Sequence, residues 1–156
     1  MTKAEALIDL CKAFLQDSKL ISQDGWQKLV LIGEVTEAST KVYGYSYDLS
    51  GNGKLTSPSL DFDMAKLEAL YEVMKADNAS GRGWLKCMIR ISRNGEIGAD
   101  FEYNDPKRWE HTVDNCKERI AELLLDAATA QSVTERSDTT ARRLEGLDDA
   151  HGLLAG

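Results

Sequence analysis

Apolar positions along the chain switch between two periods, and the switches mark out its elements. Thr2-Lys3-Ala4-Glu5 has the spacing of a capping box, and Leu7, Ile8, Cys11, Phe14 and Leu15 follow at helical intervals, which predicts an amphipathic helix. After Gln23-Asp24-Gly25, the run Trp26 to Val35 is rich in β-branched and apolar residues, and Val42 to Tyr47 alternates tyrosines with small residues. These two runs predict a hairpin. A turn-rich segment from Asp48 to Pro58, expected to be a loop, leads to a second helix with Met64, Leu67, Leu70, Tyr71 and Met74 on one face.

The second hairpin carries the clearest alternation. Leu85, Cys87, Ile89 and Ile91 alternate on one strand, and Ile97, Ala99, Phe101 and Tyr103 on the next. A two-residue Asn94-Gly95 turn would put these apolar rows on opposite faces. A three-residue Arg93-Asn94-Gly95 loop with Gly95 left-handed instead pairs Ile91 with Ile97, Ile89 with Ala99, Cys87 with Phe101 and Leu85 with Tyr103. That register is the expected one. It leaves Trp84, Lys86, Met88 and Arg90 opposite Asn104, Glu102, Asp100 and Gly98 on the other, outward face, with Lys86 paired to Glu102. Asp105-Pro106 then reads as an N-cap and first helical residue, opening a third helix marked by Trp109, Val113, Cys116, Ile120, Leu123, Leu124 and Ala127. From about Gln131 the periodicity fades.

The expected fold is therefore α+β, an antiparallel sheet built from two hairpins with packed helices, in the order α-β-β-α-β-β-α. Residues 1–130 form a single domain, and 131–156 a polar C-terminal tail with room for some helix. Composition agrees with a folded chain: 156 residues, 42% hydrophobic and 29% charged. No apolar run is long enough to cross a bilayer, and no export signal is read at the N-terminus. Cys11, Cys87 and Cys116 are odd in number, widely spaced and on apolar positions, as reduced core thiols are. These features predict a cytoplasmic protein. A net charge of -7 disfavours direct binding to nucleic acid or anionic membrane and favours a basic protein partner.

Candidate chemistry is sparse. Asp48-x-Ser50-x-Asn52-Gly53 resembles the first half of a calcium-binding loop, but Ser59 stands at the twelfth position where a bidentate Glu is needed, so an ordinary loop is expected. The histidines are His111 and His151, and a lone helical histidine such as His111 is usually a surface or cap residue. Gly81-Arg82-Gly83-Trp84 fits neither a dinucleotide fingerprint nor a phosphate loop. No catalytic residue, metal site or cofactor is expected. One constellation suggests recognition: Asp100, Glu102, Asn104 and Asp105 line up oxygens beside the aromatics Tyr103 and Trp109. Such carboxylates can offer a basic partner the charge that phosphates would, unless they only solvate an outer sheet face. Glu68 and Glu72 on the second helix serve as comparison positions outside that face.

The stretch Gly83-Trp-Leu-Lys-Cys-Met-Ile-Arg-Ile-Ser-Arg-Asn-Gly-Glu-Ile-Gly-Ala-Asp-Phe-Glu-Tyr-Asn-Asp105 resembles the YezG-like immunity protein family. The likeness lies in Trp84 opening a strand, Gly95 in the turn, Phe101 and Tyr103 closing the second strand, and Asp105 after it. With the Leu70-Tyr71 helix and the Trp26 strand in the same order, it spans about residues 1–128. The chain departs from the family in the 131–156 extension and at Ile97 and Ala99, where bulkier residues are common. The resemblance implies an antitoxin that binds and neutralises a cognate toxin domain, often a nuclease. The alternative is a small ligand-binding domain or enzyme that uses a pocket between helix and sheet.

Overall fold

The computed structural model describes residues 1–110 and the strand Thr139–Arg143. The chain is an α+β protein. Its elements are α1 (Lys3–Gln16), β1 (Trp26–Val35), β2 (Thr40–Asp48), β3 (Gly53–Thr56), α2 (Ala65–Asp77), β4 (Lys86–Ser92), β5 (Glu96–Glu102) and β6 (Thr139–Arg143). They make one sheet in the order β3-β2-β1-β4-β5-β6, with every neighbouring pair antiparallel.

The two predicted hairpins meet at the centre of this sheet. β1 pairs with β2 on one side and with β4 on the other, so Leu31 faces Gly44 and Ile89 in adjacent strands. Helix α1 opens with the expected capping box: the Thr2 hydroxyl accepts from the Glu5 N–H at 3.1 Å, and the Glu5 carboxylate accepts from the Thr2 N–H at 3.0 Å. It buries Leu7, Leu10, Cys11, Phe14 and Leu15, and α2 buries Leu67, Leu70 and Met74 beside them. Both stripes cover the sheet face formed by Leu29, Leu31, Cys87, Ile89, Ile91, Ile97, Ala99 and Phe101. Asp17 ties the end of α1 to the approach to α2, its carboxylate accepting from the Lys19, Leu20 and Ser59 N–H groups and from the Ser59 hydroxyl.

The β4–β5 register follows the hydrophobic alternation. Cys87 faces Phe101, Ile89 faces Ala99, Ile91 faces Ile97 and Lys86 faces Glu102, across the loop Arg93-Asn94-Gly95 with Gly95 at φ 99°. The alternation does not extend to Leu85. The ladder starts at Lys86, and Trp84 turns into the helix-side core between Tyr71 and Phe101, with ring centroids at 5.2 and 6.0 Å. Trp84 is thus not on the Lys86 face, because the chain enters the strand irregularly and the larger apolar side chain takes the buried position.

Three further expectations are corrected. The Asp48–Pro58 segment contains β3, which pairs Tyr45 with Leu55; the Asp48 carboxylate holds the turn by accepting from the Ser50 and Asn52 N–H groups. The third helix does not begin at Pro106: Asp105 does accept from the Lys107 N–H, as a cap would, but Trp109 at φ 60° is left-handed and ends the turn. The stretch expected to be a polar tail contributes β6 to the sheet beside β5. The remainder of that helix, with Cys116 and His111, lies outside the described residues, as does His151.

Candidate functional site

The sheet face away from α1 and α2 was expected to point outward, yet it is closed. Val30, Ile32, Tyr45, Tyr47, Met88 and Trp109 form a second apolar cluster there, with Tyr43 packed against it. Lys86, Arg90 and Asp100 on the same face are 4%, 0% and 8% exposed. Buried charges demand partners, and these have them. Arg90 Nη1 donates to Asp100 Oδ2 at 2.6 Å. The Arg90 guanidinium lies against Gly98, its ladder partner, where a Cβ would stand 2.2 Å from Nη2. Gly98 is a glycine because the arginine occupies the space of a side chain.

Glu102 lies one step along β5. Its carboxylate accepts from the Asn104 and Asp105 N–H groups at 2.9 and 3.1 Å and pairs with Arg108 Nη1 at 2.9 Å. Burial alone would raise the Glu102 carboxyl; those two N–H groups and the guanidinium outweigh it and hold it at about 2. Arg108 also stacks 4.4 Å above the Trp109 ring, and the Tyr43 hydroxyl donates to the Trp109 carbonyl at 2.7 Å. These contacts fold the 103–110 turn back over the sheet.

The six recognition candidates therefore do not share a surface. Asp100 is inside, neutralised by Arg90. Glu102 is spent on Arg108 and on capping the turn. Trp109 is 2% exposed. Tyr103 is half-buried under the Arg82 guanidinium, whose Nη2 donates to the Tyr103 carbonyl at 2.6 Å and to Asn104 Oδ1 at 2.9 Å. Of the six, Asn104 and Asp105 are exposed, and Arg82, Lys107 and Arg108 are exposed around them. The expected acidic face is internally compensated.

Exposed, concentrated negative charge lies elsewhere, around Glu68 and Glu72, the two comparison positions on the second helix. A groove of about 510 Å³ runs between the β1–β2 turn and α2, lined by residues 35–40 with Glu68, Tyr71, Glu72 and Lys75. Glu37, Glu68 and Glu72 are exposed in it. The turn is fixed by Thr36, whose hydroxyl accepts from the Ala38 and Ser39 N–H groups, while the Thr40 hydroxyl donates to Glu68 at 3.1 Å and joins the two walls. Lys75 lies 5.8 Å above the Tyr71 ring. Three carboxylates against one ammonium suit a basic side chain from another molecule. The spacing of Glu68 and Glu72, one turn apart on α2, was a legible signal; the opposing Glu37 depended on a tertiary contact. Among the described residues no cluster of His, Cys, Asp and Glu could hold a metal ion, and no helix is long and apolar enough to cross a membrane. Comparison with family models and with curated proteins finds no match to this chain.

Proposed function

We propose that the protein is an antitoxin of the immunity type, which binds a basic toxin domain, nuclease-like in charge, and neutralises it by covering its working surface. The observation that carries this reading is the groove between the β1–β2 turn and α2, where Glu37, Glu68 and Glu72 stay exposed while Asp100 and Glu102 on the far sheet face are paired with Arg90 and Arg108. A rigid acidic groove presents charge to cationic side chains without the ordering cost of a flexible loop. The net charge of -7 extends the attraction beyond contact range.

The test is binding to the C-terminal domain of the protein that the neighbouring gene encodes, by titration calorimetry and by rescue of the toxicity of that domain expressed alone. The double variant Glu68→Gln, Glu72→Gln keeps the hydrogen-bond acceptor facing Thr40 and should bind roughly tenfold or more weakly. Asp105→Asn, in the exposed turn after β5, should bind as the parent does. Equal affinity of all three proteins would remove the groove from the interface, and absence of binding or rescue by the parent would end the antitoxin reading.

A further inference from the structure

At one end of the closed sheet face, four strands carry charges of alternating sign in a single row. Lys41 on β2 faces Glu34 on β1, Glu34 faces Lys86 on β4, and Lys86 faces Glu102 on β5. Directly opposed residues on neighbouring strands point to the same side, with Cα atoms about 5 Å apart, so these side chains stand along one edge. Glu102 is taken by Arg108. The other three are not closed on one another: among the described residues, Lys41, Glu34 and Lys86 form no ion pair within 4.0 Å. Between them opens a pocket of about 470 Å³, lined by Glu34, Lys41, Tyr43, Lys86, Pro106 and Glu110.

Lys86 is the unusual member. It is 4% exposed, and the hydrogen bond of its ammonium goes to the Arg108 carbonyl at 3.0 Å. An ammonium has three protons to place, and a nearly buried one with no carboxylate oxygen within 4.0 Å costs free energy that an anionic group in the pocket would recover. The pocket also holds Glu34, so a bare anion would face a carboxylate. A molecule with both signs meets neither penalty. Tyr43 and Pro106 add apolar wall, and the volume lies within the range of small-molecule sites.

We propose that this pocket binds a small zwitterion of the α-amino-acid class, with its carboxylate on Lys86 and Lys41 and its ammonium against Glu34. The site is on the opposite side of the sheet from α2 and does not depend on toxin binding. Its occupation would fasten the 103–110 turn to β1 and β2, because Pro106 and Glu110 come from the turn and Glu34 and Lys41 from the strands.

The experiment is titration of the full chain with L-leucine, read by calorimetry and by the shift in melting temperature, beside 4-methylpentanoate and 3-methylbutylamine, which lack its ammonium and its carboxylate respectively. L-leucine should saturate one site and raise the melting temperature, and each single-charge analogue should bind roughly tenfold or more weakly. Glu34→Gln and Lys86→Met should each lose binding by a similar factor. If Lys86→Met does not fold, Lys41→Met and Glu34→Gln carry the test. Equal affinity for 4-methylpentanoate would overturn the proposal in favour of a plain anion site. Failure of L-leucine to bind saturably, or undiminished binding by Glu34→Gln, would also overturn it.

Discussion

Replacing Asp100 by Asn takes a charged partner at 2.6 Å from an arginine with no exposed surface, and Arg90 cannot shed its proton in compensation. Asp100→Asn should therefore destabilise the fold by about 3 kcal/mol or more, read from the urea midpoint. A change within error would mean the pair contributes nothing net to the folded state. Glu102 makes a different forecast, in pH. Its folded value of about 2 lies below the ordinary 4.5, so the folded form binds its proton more weakly than the unfolded form does. The stability it contributes is complete above about pH 4.5 and is lost as pH falls toward 2. Screening at this rim position reduces the effect to about 1–2 kcal/mol. Glu102→Gln should flatten the stability profile across that interval, and a variant that keeps the parent slope would assign acid sensitivity to other carboxylates. Cys87, whose thiol burial pushes up to about 12, should stay unmodified by thiol reagents at neutral pH until the chain unfolds.

The β4–β5 hairpin turns on Gly95, where φ 99° is accessible to glycine and strained for a β-branched residue. Gly95→Val should cost about 1 kcal/mol or more, and an unchanged melting temperature would contradict the turn geometry. This hairpin, α1 and α2 were legible in the sequence because each has one strong period, and β1 because a β-branched and apolar run follows the turn residues Gln23-Asp24-Gly25. The second layer was not. Its signals are the uninterrupted Leu29-Val30-Leu31-Ile32, which is what a strand covered on both faces looks like, and the Tyr43, Tyr45, Tyr47 row aimed at the same side. Lys86, Arg90 and Asp100 masked it, since charge at alternate positions ordinarily means solvent. The distinction between a solvated ion pair and a buried one rests on what lies above the sheet, and local periodicity carries no information about that. For the same reason Asp100 was read as a surface carboxylate and Glu102 as the partner of Lys86, while Arg90 and Arg108, which pair with them, were not weighed.

At the scale of the whole molecule, an acidic groove lies beside α2, while Asp100 and Glu102 on the far sheet face are paired with arginines. If the groove meets a basic toxin, rising ionic strength should weaken binding chiefly by slowing association, since exposed charges steer encounter and are screened within about 10 Å at 0.1 M salt. An association rate indifferent to salt would mean that contact is made through neutral surface. The junction of β1 with β4 has a consequence for how the chain reaches this structure. Both hairpins are local and can form and dissolve quickly, but neither has a complete core until Leu31 meets Ile89 across a long intervening stretch that includes β2, β3 and α2. Closing that loop is the entropic barrier, so the kinetic bottleneck should be the docking of two preformed halves. Ile89→Val should mainly slow refolding in stopped-flow measurements, whereas Ile97→Val, one strand further out, should mainly accelerate unfolding. A newly synthesised chain cannot close its sheet until β4 has left the ribosome, so until then β1 presents an unpaired apolar edge, the interval in which aggregation would begin.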